Sequence, residues 1–291
     1  MGERIDPSPR LFGEHSNYVF GHNLDERQRL EFQFSLLRED FNLWFDEMLR
    51  LGGLATDPDH ADWSVLDVGC GEGQFSREIA RRYPHARVVG ADVDVPAIAA
   101  ASANGVPGTN VRFLVHDARE QIPEDVVPDG GFDAVIMWMV LLYLPDRRAA
   151  LANLVAVLAP DGVLMLGNVP DQALRLDHPS AVAIMTAGQQ ALRRLGTLGL
   201  ERELDDLLRQ EGLADVTTVV LRHPVGGATS HGQRWYAYAL ASLKTGKLLL
   251  VDLCKLMDGV EYDRHVEQLA NASVLELSGD CRFLVTLARR G

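Results

Sequence analysis

The apolar positions of this chain change period along its length. Between Asn23 and Leu51 they fall in steps of four and three, at Leu30, Phe34, Leu37, Phe41, Trp44, Met48 and Leu51, which lines one face of a helix. Asn23 with Glu26 three residues on has the form of a capping box and sets the helix start. The stripe must bury against something. Packing on its own domain is the plainer outcome, and the heptad-like spacing leaves room for a homo-oligomer built through this N-terminal helix. Residues 1–22, with Pro7, Pro9, Gly13 and Gly21 and no periodicity, read as an extended arm, and residues 52–63 read as a linker.

From Ser64 the pattern becomes short β-rich apolar runs alternating with helical stretches. Strands are expected at residues 64–68, 87–92, 111–117, 133–138, 162–168, 215–223 and 281–289. Near-continuous apolar strands separated by helices predict an α/β fold, a Rossmann-like, seven-stranded, mainly parallel sheet with helices on both faces. Asp94 with Pro96 and Asp146 carry the start signals of two of the helices, and Pro84 closes another. Two helical insertions interrupt the alternation, at about 171–195 and 231–273, and are the expected place for a substrate lid. The domain reading is therefore residues 1–55 as N-terminal arm and lid helix, and 56–291 as the ligand-binding core.

Composition narrows the function classes. There are 41 acidic against 28 basic side chains, a formal charge of −13, and no basic run longer than a pair, which opposes a nucleic-acid surface. The longest apolar run, residues 135–144, is far short of the ~18 residues a membrane helix needs, so no membrane association is expected. MGERIDPSPR has no apolar signal core, and Cys70, Cys254 and Cys281 are irregularly spaced, both of which suit the cytoplasm. No His-x-x-x-His, Cys-x-x-Cys or Gly-x-Ser-x-Gly occurs, so neither a metal site nor a serine hydrolase is expected.

The chemistry gathers at VLDVGCGEG, residues 65–73, where a glycine-rich turn lies between a buried strand and an amphipathic helix. Such a turn lets a ligand approach the backbone and leaves N–H groups at a helix N-terminus free to bind polar groups. Asp92 ends the next strand, 19 positions after Gly73, where a carboxylate can accept ribose hydroxyls. A dinucleotide fingerprint would put its third glycine at Gln74, and the acidic Asp67 would repel a pyrophosphate. A zwitterionic cofactor bearing an ammonium and a sulfonium is compatible with that acid.

At these residues the chain resembles the class I methyltransferases that use S-adenosyl-L-methionine (SAM), whose first motif VLDVGCGEG fits at every defined position. The resemblance implies that Asp67, Gly69, Gly71 and Gly73 form the cofactor turn. It implies that Asp92 binds the ribose, with Val93 beside the adenine, and that Asp117 accepts the adenine amine next to Ala118. Residues 132–146 resemble the fourth motif, in which Met137 and Trp138 line the cofactor. The VLAPDG turn carries Asp161 where Gly is usual, and Leu142 stands where many relatives carry His. Residues 18–33 are similar to the opening of a small-molecule, natural-product subgroup, which implies that Tyr18, Arg29 and Gln33 fold over the methionine end of SAM. The bland reading of Arg29 is a surface pair with Glu26. Cys70 reads as a small filler in the loop, and the aromatic cluster Trp235, Tyr236, Tyr238 reads as core.

The implied activity is methyl transfer to a small-molecule substrate, through O, N or C, in secondary metabolism. Tyr143, Asp171 and His231 are the candidate catalytic groups. A SAM-bound cyclase with no net methyl transfer, or a SAM-binding regulator, are the alternatives.

Overall fold

A computed structural model describes residues 24–144 and 146–291. The arm, with Tyr18, Gly21 and the Asn23 cap, lies outside the described residues. The chain divides into two compact units: one takes residues up to Leu37 with 169–200 and 220–283, the other takes 38–168, 201–219 and 284–291.

The second unit is built on the strands expected from the β-rich runs. They are β1 (Ser64–Val68), β2 (Arg87–Asp92), β3 (Asn110–Val115), β4 (Phe132–Trp138) and β5 (Leu158–Asn168), hydrogen-bonded in the order β3-β2-β1-β4-β5 and parallel throughout. All five residues of β1 are buried, as a central strand covered on both faces must be. The last strand, β8 (Ser278–Arg290), runs antiparallel to β5 with Val163 opposite Arg289, and β7 (Leu213–Gly226) also pairs with β8.

Helices α2 (Gln74–Arg82), α3 (Val95–Ala103) and α4 (Arg147–Ala156) connect the parallel strands. The Asp94 carboxylate accepts from Ala97 N and that of Asp146 from Ala149 N, so both predicted caps form. Asp161 is left-handed at φ 65, which is why a glycine is the easier residue in that turn.

Helix α1 (Leu24–Leu51) contributes its second half to this unit. Its buried seam is Leu37, Phe41, Phe45, Met48 and Leu49, while Leu30 is exposed and Trp44 and Leu51 are only half-buried. Phe41 meets Phe75 and Trp138 at 4.1 and 5.3 Å between ring centroids, and Phe45 meets Trp63 and Tyr83. The steps of four from Leu37 through Phe41 to Phe45 carry the buried seam round the helix from the predicted face, which is why Phe45 replaces Trp44 in it.

In the first unit, residues 24–37 of α1 are joined by β6 (Leu174–Leu176), α5 (Pro179–Arg194), α7 (Ser230–Thr245) and α8 (Gly259–Ala270), with a π-helical turn at Leu248–Leu253. Strand β6 pairs antiparallel with the start of β8, Leu174 opposite Cys281. Among the described residues the strands thus number eight rather than seven, because three residues, Leu-Arg-Leu, are too few to display a period. The insertion at 171–195 accordingly opens with a strand and not a helix. Helix α6 (Leu200–Gln210) leads into β7.

Candidate active site

The glycine turn follows β1 directly, and its three glycines are not equivalent. Gly69 is left-handed at φ 76, and a Cβ there would run into the Val140 side chain. A Cβ on Gly73 would strike the Phe113 ring, which also fills the space over Gly90. Gly71 alone faces open space, with no atom within 4 Å of where its Cβ would be, at φ 54. Packing therefore accounts for Gly69 and Gly73, and Gly71 marks the open side of the loop. Neither Val140 nor Phe113 carries a sequence signal for this role.

Asp92 locks the turn from the neighbouring strand. Its Oδ2 accepts from Gly71 N at 2.8 Å and its Oδ1 accepts from Asp94 N at 2.9 Å. Gly69 N and Cys70 N both donate to Ala91 O, so the loop is fastened to the end of β2 by three backbone N–H groups in all. Val93 follows, half-buried at the same strand end.

Asp67 is buried beneath the loop and accepts the Ser76 hydroxyl at 2.6 Å. Burial pushes its carboxyl up to about 6; the Ser76 hydrogen bond opposes that shift and the charge of Asp92 adds to it. Burial, and then the charges of Asp67 and Asp92, push the Cys70 thiol well above its ordinary range, so it stays protonated and acts as filler.

Asp117 stands just beyond β3, beside the half-buried Ala118. Its carboxylate takes Arg119 N, Nε and Nη2 at 2.9, 3.0 and 2.5 Å. Burial would raise the Asp117 pKa, but these Arg119 contacts outweigh it and hold the group below the usual carboxylate range. At the end of β4, Met137 is fully buried, and the Trp138 indole lies over Gly167, where a Cβ would collide with it. Met139 is left-handed at φ 60 and Met139 N donates to Gly167 O, so the chain turns sharply there. Tyr143 closes a 3-10 turn, Leu141–Tyr143, two residues past Leu141.

The second unit thus brings together Asp67, Gly69, Gly71, Gly73, Asp92, Val93, Asp117, Ala118, Met137, Trp138 and Tyr143. Arg29, Gln33, Asp171 and His231 belong to the first. There Arg29 forms a bidentate pair with Glu26, both contacts at 2.7 Å, and this pair is buried, not superficial. Arg29 Nη1 and Gln33 Nε2 both donate to Tyr238 Oη. Asp171 accepts from Gly199 N at 2.7 Å. His231 is exposed, 5.9 Å from the ring of His223, which stacks on Trp235 at 4.2 Å. Among the described residues no three His, Cys, Asp or Glu cluster as a metal site would require, and no helix is long and apolar enough to cross a membrane.

A parallel sheet whose first strand runs into a glycine turn fastened by an acid at the end of the second is the framework of the class I methyltransferases. Residues 65–162 match the model of the methyltransferase domain family. The chain is 31% identical over 177 residues to a trans-aconitate 2-methyltransferase of Variovorax paradoxus, covering 57% of this chain and 64% of that protein. It is 36% identical over 177 residues to the trans-aconitate 2-methyltransferase of Deinococcus radiodurans, covering 58% and 65%. The chain thus spans somewhat less than two thirds of the length of these relatives. In fold it is similar to the YcgJ protein of Bacillus subtilis, with a TM-score of 0.54 at 16% identity, over 84% of this chain and 97% of that one.

Proposed function

We propose that the chain binds SAM and transfers its methyl group to a small-molecule acceptor. The observation that carries this reading is the Asp92 bridge: one carboxylate receives the N–H of Gly71, the glycine with open space in front of it, and stands where ribose hydroxyls would reach it. Gly69 and Gly71 would pass the methionine backbone, Asp67 would face its ammonium through the loop, and Asp117 with Ala118 would meet the adenine edge. Val93, Met137 and Trp138 would line the remainder. On the resemblance of their segment, Tyr18, Arg29 and Gln33 would serve the methionine carboxylate.

When bound, SAM supplies an electrophilic methyl group on a sulfonium. The protein's part is to align the acceptor with it and exclude water, and positioning of that kind is worth roughly 7–11 kcal/mol of a barrier. Tyr143 is the candidate in the second unit for taking or steadying a proton on the acceptor, and Asp171 and His231 are the candidates in the first. The names of the curated relatives favour trans-aconitate as the first acceptor to try, while the natural-product resemblance favours a metabolite of secondary metabolism. Calorimetry with SAM, followed by mass spectrometry of reactions with isotope-labelled SAM and a panel led by trans-aconitate, tests the reading. A wild type that binds NADH and not SAM overturns it.

A further inference from the structure

Asn168 is the last residue of β5, paired with Leu284 of β8, and its side chain is fully buried. Neither end of its amide is hydrogen-bonded: Nδ2 and Oδ1 both lack a partner. Buried amides are almost always paired, and one left unpaired carries a standing penalty that needs a reason. Trp138, at the end of the adjacent strand, also has an unpartnered indole N–H, but its ring contacts with Phe41 and Phe75 justify a tryptophan for packing alone. Asn168 has no such apolar return. A leucine has the same branched heavy-atom outline and would strand nothing.

The strand order says what the amide serves. Asp117 follows β3, Asp92 ends β2 and the glycine turn follows β1, so the cofactor groups assigned above occupy successive strand ends in the order β3, β2, β1. β5 lies two strands further along the same edge, roughly 10 Å beyond β1 at about 4.8 Å per strand. Ligands of open parallel sheets bind at this carboxyl edge. With Trp138 accounted for by packing, Asn168 offers two N–H donors and one amide oxygen at this edge. The two N–H groups can pair with the oxygens of a carboxyl group.

We infer that Asn168 is an acceptor-binding residue, whose amide N–H groups hydrogen-bond a carboxyl group of the methyl acceptor. The inference rests on the SAM reading above, and it assigns Asn168 to the acceptor and not to the cofactor. Because the side chain is fully buried, the acceptor reaches it only as its neighbours give way, so acceptor binding is a two-step event.

The test compares wild type, Asn168→Leu and Asn168→Asp, with trans-aconitate as the probe acid. SAM affinity by calorimetry should stay within twofold in both variants. Asn168→Leu should melt no lower than wild type, since it removes a stranded polar group, yet lose at least tenfold in kcat/KM for trans-aconitate. Asn168→Asp should lose more, because a carboxylate would repel the acid. Unchanged kinetics in Asn168→Leu, or a lower melting temperature with weakened SAM binding, would make Asn168 structural and overturn the inference. Wild type that binds SAM but does not methylate trans-aconitate overturns the carboxyl-bearing acceptor class, and wild type that does not bind SAM overturns the cofactor reading itself.

Discussion

Gln33 Nε2 donates to Tyr238 Oη across 2.6 Å, and Arg29 Nη1 donates to the same oxygen at 3.1 Å. One phenol oxygen therefore ties two residues of α1, four apart and on one helical face, to α7. Tyr238→Phe keeps the ring but strands both donors, one of them on a buried guanidinium. It should cost about 1–3 kcal/mol in urea denaturation, with an unchanged m-value. An unaltered midpoint would mean that solvent replaces the tyrosine freely.

The Asp92 bridge gives the simplest binding prediction. Asp92→Ala removes the partner of Gly71 N as well as the carboxylate proposed to accept the ribose, and hydrogen bonds to a charged group are worth roughly 1.5–3 kcal/mol. SAM affinity measured by calorimetry should fall at least tenfold. Near-native affinity in this variant would remove Asp92 from the cofactor site.

The glycines separate fold from binding. Gly69→Ala should destabilise the protein through the collision with Val140, and Val140→Ala in the same chain should restore part of the loss. Gly71→Ala meets no atom, so its stability should fall by only the ~1–2 kcal/mol of a left-handed alanine. Its SAM affinity should nonetheless drop, because the methyl group projects into the open side of the loop. If Gly71→Ala binds SAM as wild type does, the turn is structural only.

Asp67 predicts a pH dependence. Its folded pKa of about 6 lies above the ordinary 3.8, so between these values the folded state holds more protons than the unfolded one. Stability should therefore fall as pH rises from about 4 to 6 and level off above, by about 3 kcal/mol at ~1.4 kcal/mol per unit. Asp67→Asn should flatten this slope and be the more stable protein at pH 7, with the difference fading below pH 4. A ligand ammonium favours the ionised acid, so SAM affinity of the wild type should rise over the same window. Parallel pH profiles for the two proteins would contradict the assignment.

The sequence carried the parts of the site that depend on local order. A buried strand, a glycine turn and a helix in immediate succession are legible, as is an acid 19 residues later, because β1, α2 and β2 are consecutive. The caps at Asp94 and Asp146 were legible for the same reason. What was hidden depends on partners far away in the chain. The reason for Gly69 is Val140, that for Gly73 is Phe113, and the burial of the Arg29 pair is completed by Tyr238, some 200 positions later. Residues 24–37 and 38–51 of one helix also serve different compact units, which an unbroken apolar stripe cannot reveal.

The antiparallel pairing of β5 with β8 sets a timetable for the chain as it is made. Val163 and its partner Arg289 are 289 − 163 = 126 residues apart. At ~5–20 residues per second of synthesis, β5 stays open on one side for roughly 6–25 s after its own neighbour β4 is in place. During that interval its apolar edge is an invitation to any other unfinished strand. A nascent chain arrested before residue 278 should therefore recruit chaperones or aggregate, whereas one in which β8 has paired with β5 should do so less.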